Sequence, residues 1–242
     1  MQTIVTICCL LICAALLCGN SSAKLLMSDT FEGKLNKSFW KGQDKSWKVS
    51  KGALEIERLE GDGNGAEDFG YGLIEFDNFG LQLDFNLSDD PFPSKMELLF
   101  RAKELAFYQL IITPFNGIGR KNSARWYKRE GDDRATWNEY IELRAEIPFP
   151  IDTNSWYTLA LLGKGFDFQL YMKKQGEVEF QKVSEWSDAK QLHQKGTLGF
   201  HTNQLQHFFI DNVILYDTPG EVNLAVEPWD KLAVTWGSLK RQ

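Results

Sequence analysis

Beyond its N-terminus this chain lacks cysteine. All four cysteines of the 242-residue sequence, Cys8, Cys9, Cys13 and Cys18, fall in one apolar leader. The run from Ile4 to Leu17 is too short to span a bilayer, and small residues follow at Ser21, Ser22 and Ala23. That is the pattern of a removable export signal over residues 1–23. Lipidation at Cys18 is the rival reading, disfavoured because Leu17 stands where a small residue is needed. A mature chain starting at Lys24 would have no disulfide framework, no thiolate zinc site and no cysteine nucleophile. It also lacks any later run apolar enough for a membrane helix. Histidine is scarce (His193, His201 and His207). No H-E-x-x-H string, nucleophile elbow or phosphate-cradling glycine loop follows residue 23. Positive charge is not in excess. The 27 Lys and Arg against 33 Asp and Glu leave −6, which argues against nucleic acid or an anionic membrane as partner. Asp62-Gly63-Asn64-Gly65 lacks the alternating ligands of an EF-hand and reads as a turn. Neither a metal nor a cofactor is expected, the oligomeric state stays open, and the location is secreted or periplasmic.

Helical periodicity is nearly absent as well, while 8 Trp, 7 Tyr and 17 Phe are present. Short alternating segments recur instead. Trp47 to Val49 and Ala53 to Glu57 flank a Lys51-Gly52 turn. Phe79 to Leu87 places Leu81, Leu83, Phe85 and Leu87 on one face. Met96 to Arg101 and Ala106 to Thr113 follow, then Trp156 to Leu162 and Phe166 to Lys173 around Gly163-Lys164-Gly165. Gly196 to Phe200 and Phe208 to Tyr216 close the series. Strands at this spacing predict a sandwich or barrel, and Trp47 and Trp156 read as core. Pro114 to Thr136 reads as a long irregular loop. From Pro228 onward, Trp229, Leu232, Ala233, Trp236 and Leu239 follow helical spacing, which predicts a short helical tail within 219–242, after a domain over 24–218.

The ordered series resembles the concanavalin A-like lectin and glucanase superfamily, beginning with Trp47-Lys48-Val49…Gly52-Ala53-Leu54. Within it, the secreted 3-keto-disaccharide hydrolase family is the most similar. The matching pieces are Asn78 to Phe85, Met96-Glu97-Leu98-Leu99-Phe100-Arg101, Tyr108-Gln109-Leu110-Ile111-Ile112, Ser155-Trp156-Tyr157, and Gly196 to Phe200 with Phe209-Ile210-Asp211-Asn212-Val213. The resemblance implies an all-β jelly roll, two antiparallel sheets face to face, with carbohydrate bound on the concave sheet.

Alternation then nominates side chains. If the apolar rows pack inward, Asp84, Glu97, Arg101 and Gln109 line one groove; an ordinary solvated sheet face with cross-strand ion pairs explains the same pattern. Trp126, Tyr127 and Trp137, with arginines between them, form either a stacking platform for sugar rings or the pins of a long loop. His201 is a candidate at the groove rim. The usual glycoside cleavage needs two carboxylates about 5–10 Å apart. Gln109 stands where the similar family has glutamate, and no E-x-D-x-E string occurs. Glycan recognition is therefore the favoured role. The alternatives are an enzyme with Glu97 as base and Arg101 as oxyanion stabiliser, and a non-catalytic envelope interaction domain.

Overall fold

A computed structural model describes residues 23–41, 46–58, 67–89, 94–114, 122–131, 141–203, 206–222 and 224. The leader, the Asp62–Gly65 turn, Trp137 and the predicted helical tail lie outside the described residues.

The described residues form fifteen strands. They are β1 (Leu25–Asp29), β2 (Trp40–Lys41), β3 (Trp47–Ser50), β4 (Ala53–Glu57), β5 (Glu67–Phe76), β6 (Phe79–Leu87), β7 (Met96–Lys103) and β8 (Ala106–Thr113). Then come β9 (Ser123–Glu130), β10 (Ile141–Glu146), β11 (Trp156–Lys164), β12 (Asp167–Lys174), β13 (Gln181–Ser187), β14 (Gly196–Asn203) and β15 (His207–Tyr216). They build two antiparallel sheets. The eight-stranded sheet runs β13-β12-β11-β6-β15-β4-β3, with β1 added on β15; the seven-stranded sheet runs β10-β9-β8-β7-β14-β5-β2. Pro219–Glu221 is a 3-10 turn.

Alternation explains the packing. Leu81, Leu83, Phe85 and Leu87 of β6 are fully buried against the other sheet, together with Leu98, Phe100, Tyr108, Leu110 and Phe200. Each such side chain contributes about 1.5–3 kcal/mol relative to exposure. The β3–β4 hairpin has its expected turn: Lys51 and Gly52 both take positive φ, 53° and 74°, which matches the twist of the flanking strands. Trp47 is in the core as expected, whereas Trp156 is only half-buried.

Two expectations need correction. Residues 123–130 are a regular strand paired with both β8 and β10, not part of an irregular loop. A bulge also interrupts the β7–β8 register between Phe100 and Lys103. There Arg101 takes a positive φ of 49°. The extra residue reverses the alternation, so Ala102 replaces Arg101 on the outer face, beside Leu99 and Phe107. Gly196 packs so closely on the Arg101 backbone that a Cβ would overlap it.

Candidate functional site

The outer face of the seven-stranded sheet carries a charged centre built by register. Phe200 pairs with Leu98 across β14 and β7, which sets His201 beside Glu97. Leu99 pairs with Gln109, and Gln109 with Tyr127. Glu97 is fully buried. Its Oε2 lies 2.6 Å from His201 Nδ1 and accepts from Gln109 Nε2 at 2.5 Å. Its Oε1 accepts from Gln206 Nε2 at 3.0 Å and meets Lys95 Nζ at 2.5 Å. Burial alone would favour the neutral acid. The attraction and hydrogen bonds of His201 and Lys95 outweigh it and hold the Glu97 carboxyl at about 2. An ionised carboxylate only accepts, so His201 Nδ1 carries the proton in that bond.

Aromatic rings flank this centre. Phe69 stacks on His201, with ring centroids 4.5 Å apart and planes 13° from parallel. Tyr71 lies parallel to Phe69, and the Arg129 guanidinium sits over the Phe69 and Phe107 rings. On β9, Arg125 donates to the Tyr127 hydroxyl (3.3 Å) and to Thr113 Oγ1 (3.0 Å). Phe69, Tyr71, Thr113, Arg125 and Tyr127 are among the partly exposed members of the face.

Of the candidates from the sequence, Glu97, Gln109 and His201 are joined directly, and Tyr127 lies on the same face. Three others lie elsewhere. Asp84 projects from the opposite, eight-stranded sheet. There Thr158 Oγ1 donates to its Oδ1 (2.6 Å) and Asn212 Nδ2 to its Oδ2 (2.8 Å), while burial raises its pKa. Trp126 faces the interior, fully buried, with its Nε1 donating to Ser184 Oγ at 2.9 Å. It pins β9 to the core and cannot stack on a ligand. Arg101 is carried inward by the bulge. Its Nε and Nη2 donate to the Asp77 carbonyl (2.9 and 2.6 Å) and its Nη1 to the His193 carbonyl (3.1 Å), over the rings of Phe79, Phe166 and Phe168. It is therefore not a partner of Glu97.

His201 and His207 do not face each other. His207 Nε2 lies 3.0 Å from Glu55 Oε1. Glu55, Glu57 and His207 group as metal ligands would. The Lys48 ammonium lies 3.1 Å from Glu55 and 3.3 Å from Glu57 and supplies the positive charge there. Phe69 and Tyr71 were missed by sequence reasoning, although Phe69-Gly70-Tyr71-Gly72 alternates rings with glycines.

These features define a jelly-roll sandwich of the concanavalin A-like kind, the architecture of galectin-like folds. No family model and no curated protein matches the sequence. Solved structures do match by shape. The VIP36 exoplasmic/lumenal domain in its Ca2+/Man-bound form superposes with a TM-score of 0.61 at 10% identity, over 84% of this chain and 95% of that one. A Bacillus subtilis protein of unknown function with a galectin-like fold gives 0.60 at 14%, over 81% and 98%. The carbohydrate binding module CBM66 from Bacillus subtilis gives 0.54 at 18%, over 75% and 97%.

Proposed function

We propose that this protein recognises carbohydrate on the outer face of its seven-stranded sheet, outside the cytoplasmic membrane after loss of residues 1–23. The observation that carries this reading is the gathering of flat rings and fixed polar groups on one face. Phe69 and Tyr71 come from β5, His201 from β14, Glu97 from β7, Gln109 from β8, and Arg125 and Tyr127 from β9. Sugar rings stack on aromatic faces, and their hydroxyls need polar partners that do not move. The Glu97 network supplies rigidity, since its four partners tie together three regions of the chain: Lys95 just before β7, Gln109 on β8, and His201 and Gln206 at the end of β14 and just beyond it. Carbohydrate binding by structures of the same fold, CBM66 and the mannose-bound VIP36 domain, supports the reading.

Recognition is favoured over catalysis. The finer resemblance to 3-keto-disaccharide hydrolases would require a base and an oxyanion stabiliser side by side. Glu97 is enclosed and held near 2, which makes it a feeble base at neutral pH. Arg101 is committed to two backbone carbonyls in the interior. The test is migration of the purified protein through native gels containing a panel of neutral and charged polysaccharides. Retardation by at least one polymer, lost in Tyr71→Ala, is expected. Unchanged mobility throughout the panel would refute the proposal.

A further inference from the structure

One feature of the β9–β10 edge costs stability with no return inside the molecule. Arg144 of β10 pairs directly with Arg125 of β9. Leu143 and Trp126, one residue before and one after them, pack toward the core, so both arginines point to the outer face. Like charges directly opposite each other destabilise a sheet pair. The chain carries 33 acidic residues against 27 basic ones, yet no carboxylate among the described residues lies within ion-pair distance of either arginine. β10 itself carries Glu142 and Glu146, two residues to either side of Arg144, and Glu146 stands opposite Ser123. Arg125 is held in place by the hydroxyls of Tyr127 and Thr113, and its Nε is buried without a hydrogen-bond partner. Arg144 is exposed. Two arginines directly opposite each other across β9 and β10, one fixed by hydroxyls and one exposed, suit a planar anion by bidentate bonding. The Tyr127 ring beside Arg125 offers a stacking surface.

We infer that Arg125, Arg144, Thr113 and Tyr127 form an anion subsite, and that the ligand is an acidic glycan bearing carboxylate or sulfate groups. This rests on the carbohydrate reading and narrows it. The anion removes the repulsion between the two arginines when it binds, while a neutral sugar leaves it in place.

The experiment measures binding of the purified full-length secreted protein to four immobilised polymers: polygalacturonate, alginate, dextran sulfate and neutral dextran. Each is run at low and high salt. The wild type is expected to bind at least one anionic polymer more than tenfold tighter than dextran, with binding weakened by salt. The double variant Arg125→Gln/Arg144→Gln should lose at least tenfold on that polymer. Uronate polymers against dextran sulfate distinguish a carboxylate from a sulfate ligand. Arg144→Gln alone should raise the melting temperature of the ligand-free protein, a readout that confirms an intact fold. Equal or tighter binding to dextran, or undiminished anionic binding by the folded double variant, would overturn the inference and leave the carbohydrate reading standing. Binding to none of these or of the neutral polysaccharide panel would overturn both.

Discussion

Replacing Asp211 with asparagine should change how stability depends on pH. Asp211 of β15 pairs across the sheet with Asp84 of β6. Burial, the neighbouring Asp84 charge and Asp29 push its pKa up from an ordinary 3.8 to about 7; the Asn212 N–H, 2.7 Å from Oδ1, opposes them. Asn212 sits in a bulge with a φ of 49° and also donates to Asp84, so the local backbone holds the two carboxyls together. Lys173 faces Asp84 and lowers its pKa in part. The sign follows from proton linkage. Below pH 3.8 the group is neutral in both states. From there to about pH 7 the unfolded chain releases a proton that the folded chain keeps, so stability falls as pH rises and then levels off. The gap between 3.8 and about 7 corresponds to about 4 kcal/mol at most. Because the carboxyl is partly exposed to screening solvent, about 2 kcal/mol is the expected size. Asp211→Asn retains an oxygen acceptor for the Asn212 N–H and removes the charge. Urea unfolding followed by tryptophan fluorescence should show the two proteins converging near pH 4, with the variant about 2 kcal/mol more stable at pH 8. Asp84→Asn should move the wild-type transition to lower pH by removing the repulsion. Parallel stability profiles for wild type and Asp211→Asn between pH 4 and 8 would refute the reasoning.

Glu97→Gln leaves Lys95 and His201 without their anion and should cost about 3–5 kcal/mol in urea unfolding at pH 7. Glu97 is held below its ordinary 4.5, at about 2, so its contribution is present above pH 4.5 and lost as pH falls through 2. The variant should lack that acid-side decline. Arg101→Met removes three donated hydrogen bonds to carbonyls inside the sandwich. It should lower stability by about 3 kcal/mol, with folded protein binding glycan as the wild type does. Trp126→Ala should cost about 3–5 kcal/mol through an interior cavity, with Trp126→Phe milder and polysaccharide retardation of the folded protein unchanged in both.

Much of the fold was legible because one-sided strands declare themselves. In β6 the inward residues are all apolar and the outward ones are Gln82, Asp84 and Asn86, so period two reads cleanly. In β9, Ser123, Arg125, Tyr127 and Arg129 alternate with Ala124, Trp126 and Lys128. Only two of the inward positions are apolar, and Lys128 turns inward to meet Asp188 at 3.0 Å. The mixed composition hid the strand. The site was legible in part for a different reason. Alternation tells which face of a strand a residue occupies but not which sheet the strand joins. Asp84 was correctly placed pointing outward and wrongly grouped with Glu97, because a sandwich has two outer faces. Arg101 failed for a third reason: a bulge at a non-glycine residue leaves no compositional mark, and one inserted residue reverses the parity of everything after it.

The Arg101 guanidinium also sets how the molecule comes apart. Asp77 lies where the chain leaves one sheet for the other, and His193 lies just before β14, 92 positions after Arg101. One side chain thus fastens three segments that are remote in sequence to a single point at one end of the sandwich. Neither sheet can peel away there while the other stays closed, because the first carbonyl to leave strands a buried charge. Amides around Asp77 and Gly196 are therefore tied to the opening of the whole domain, and fraying is confined to edges away from this knot.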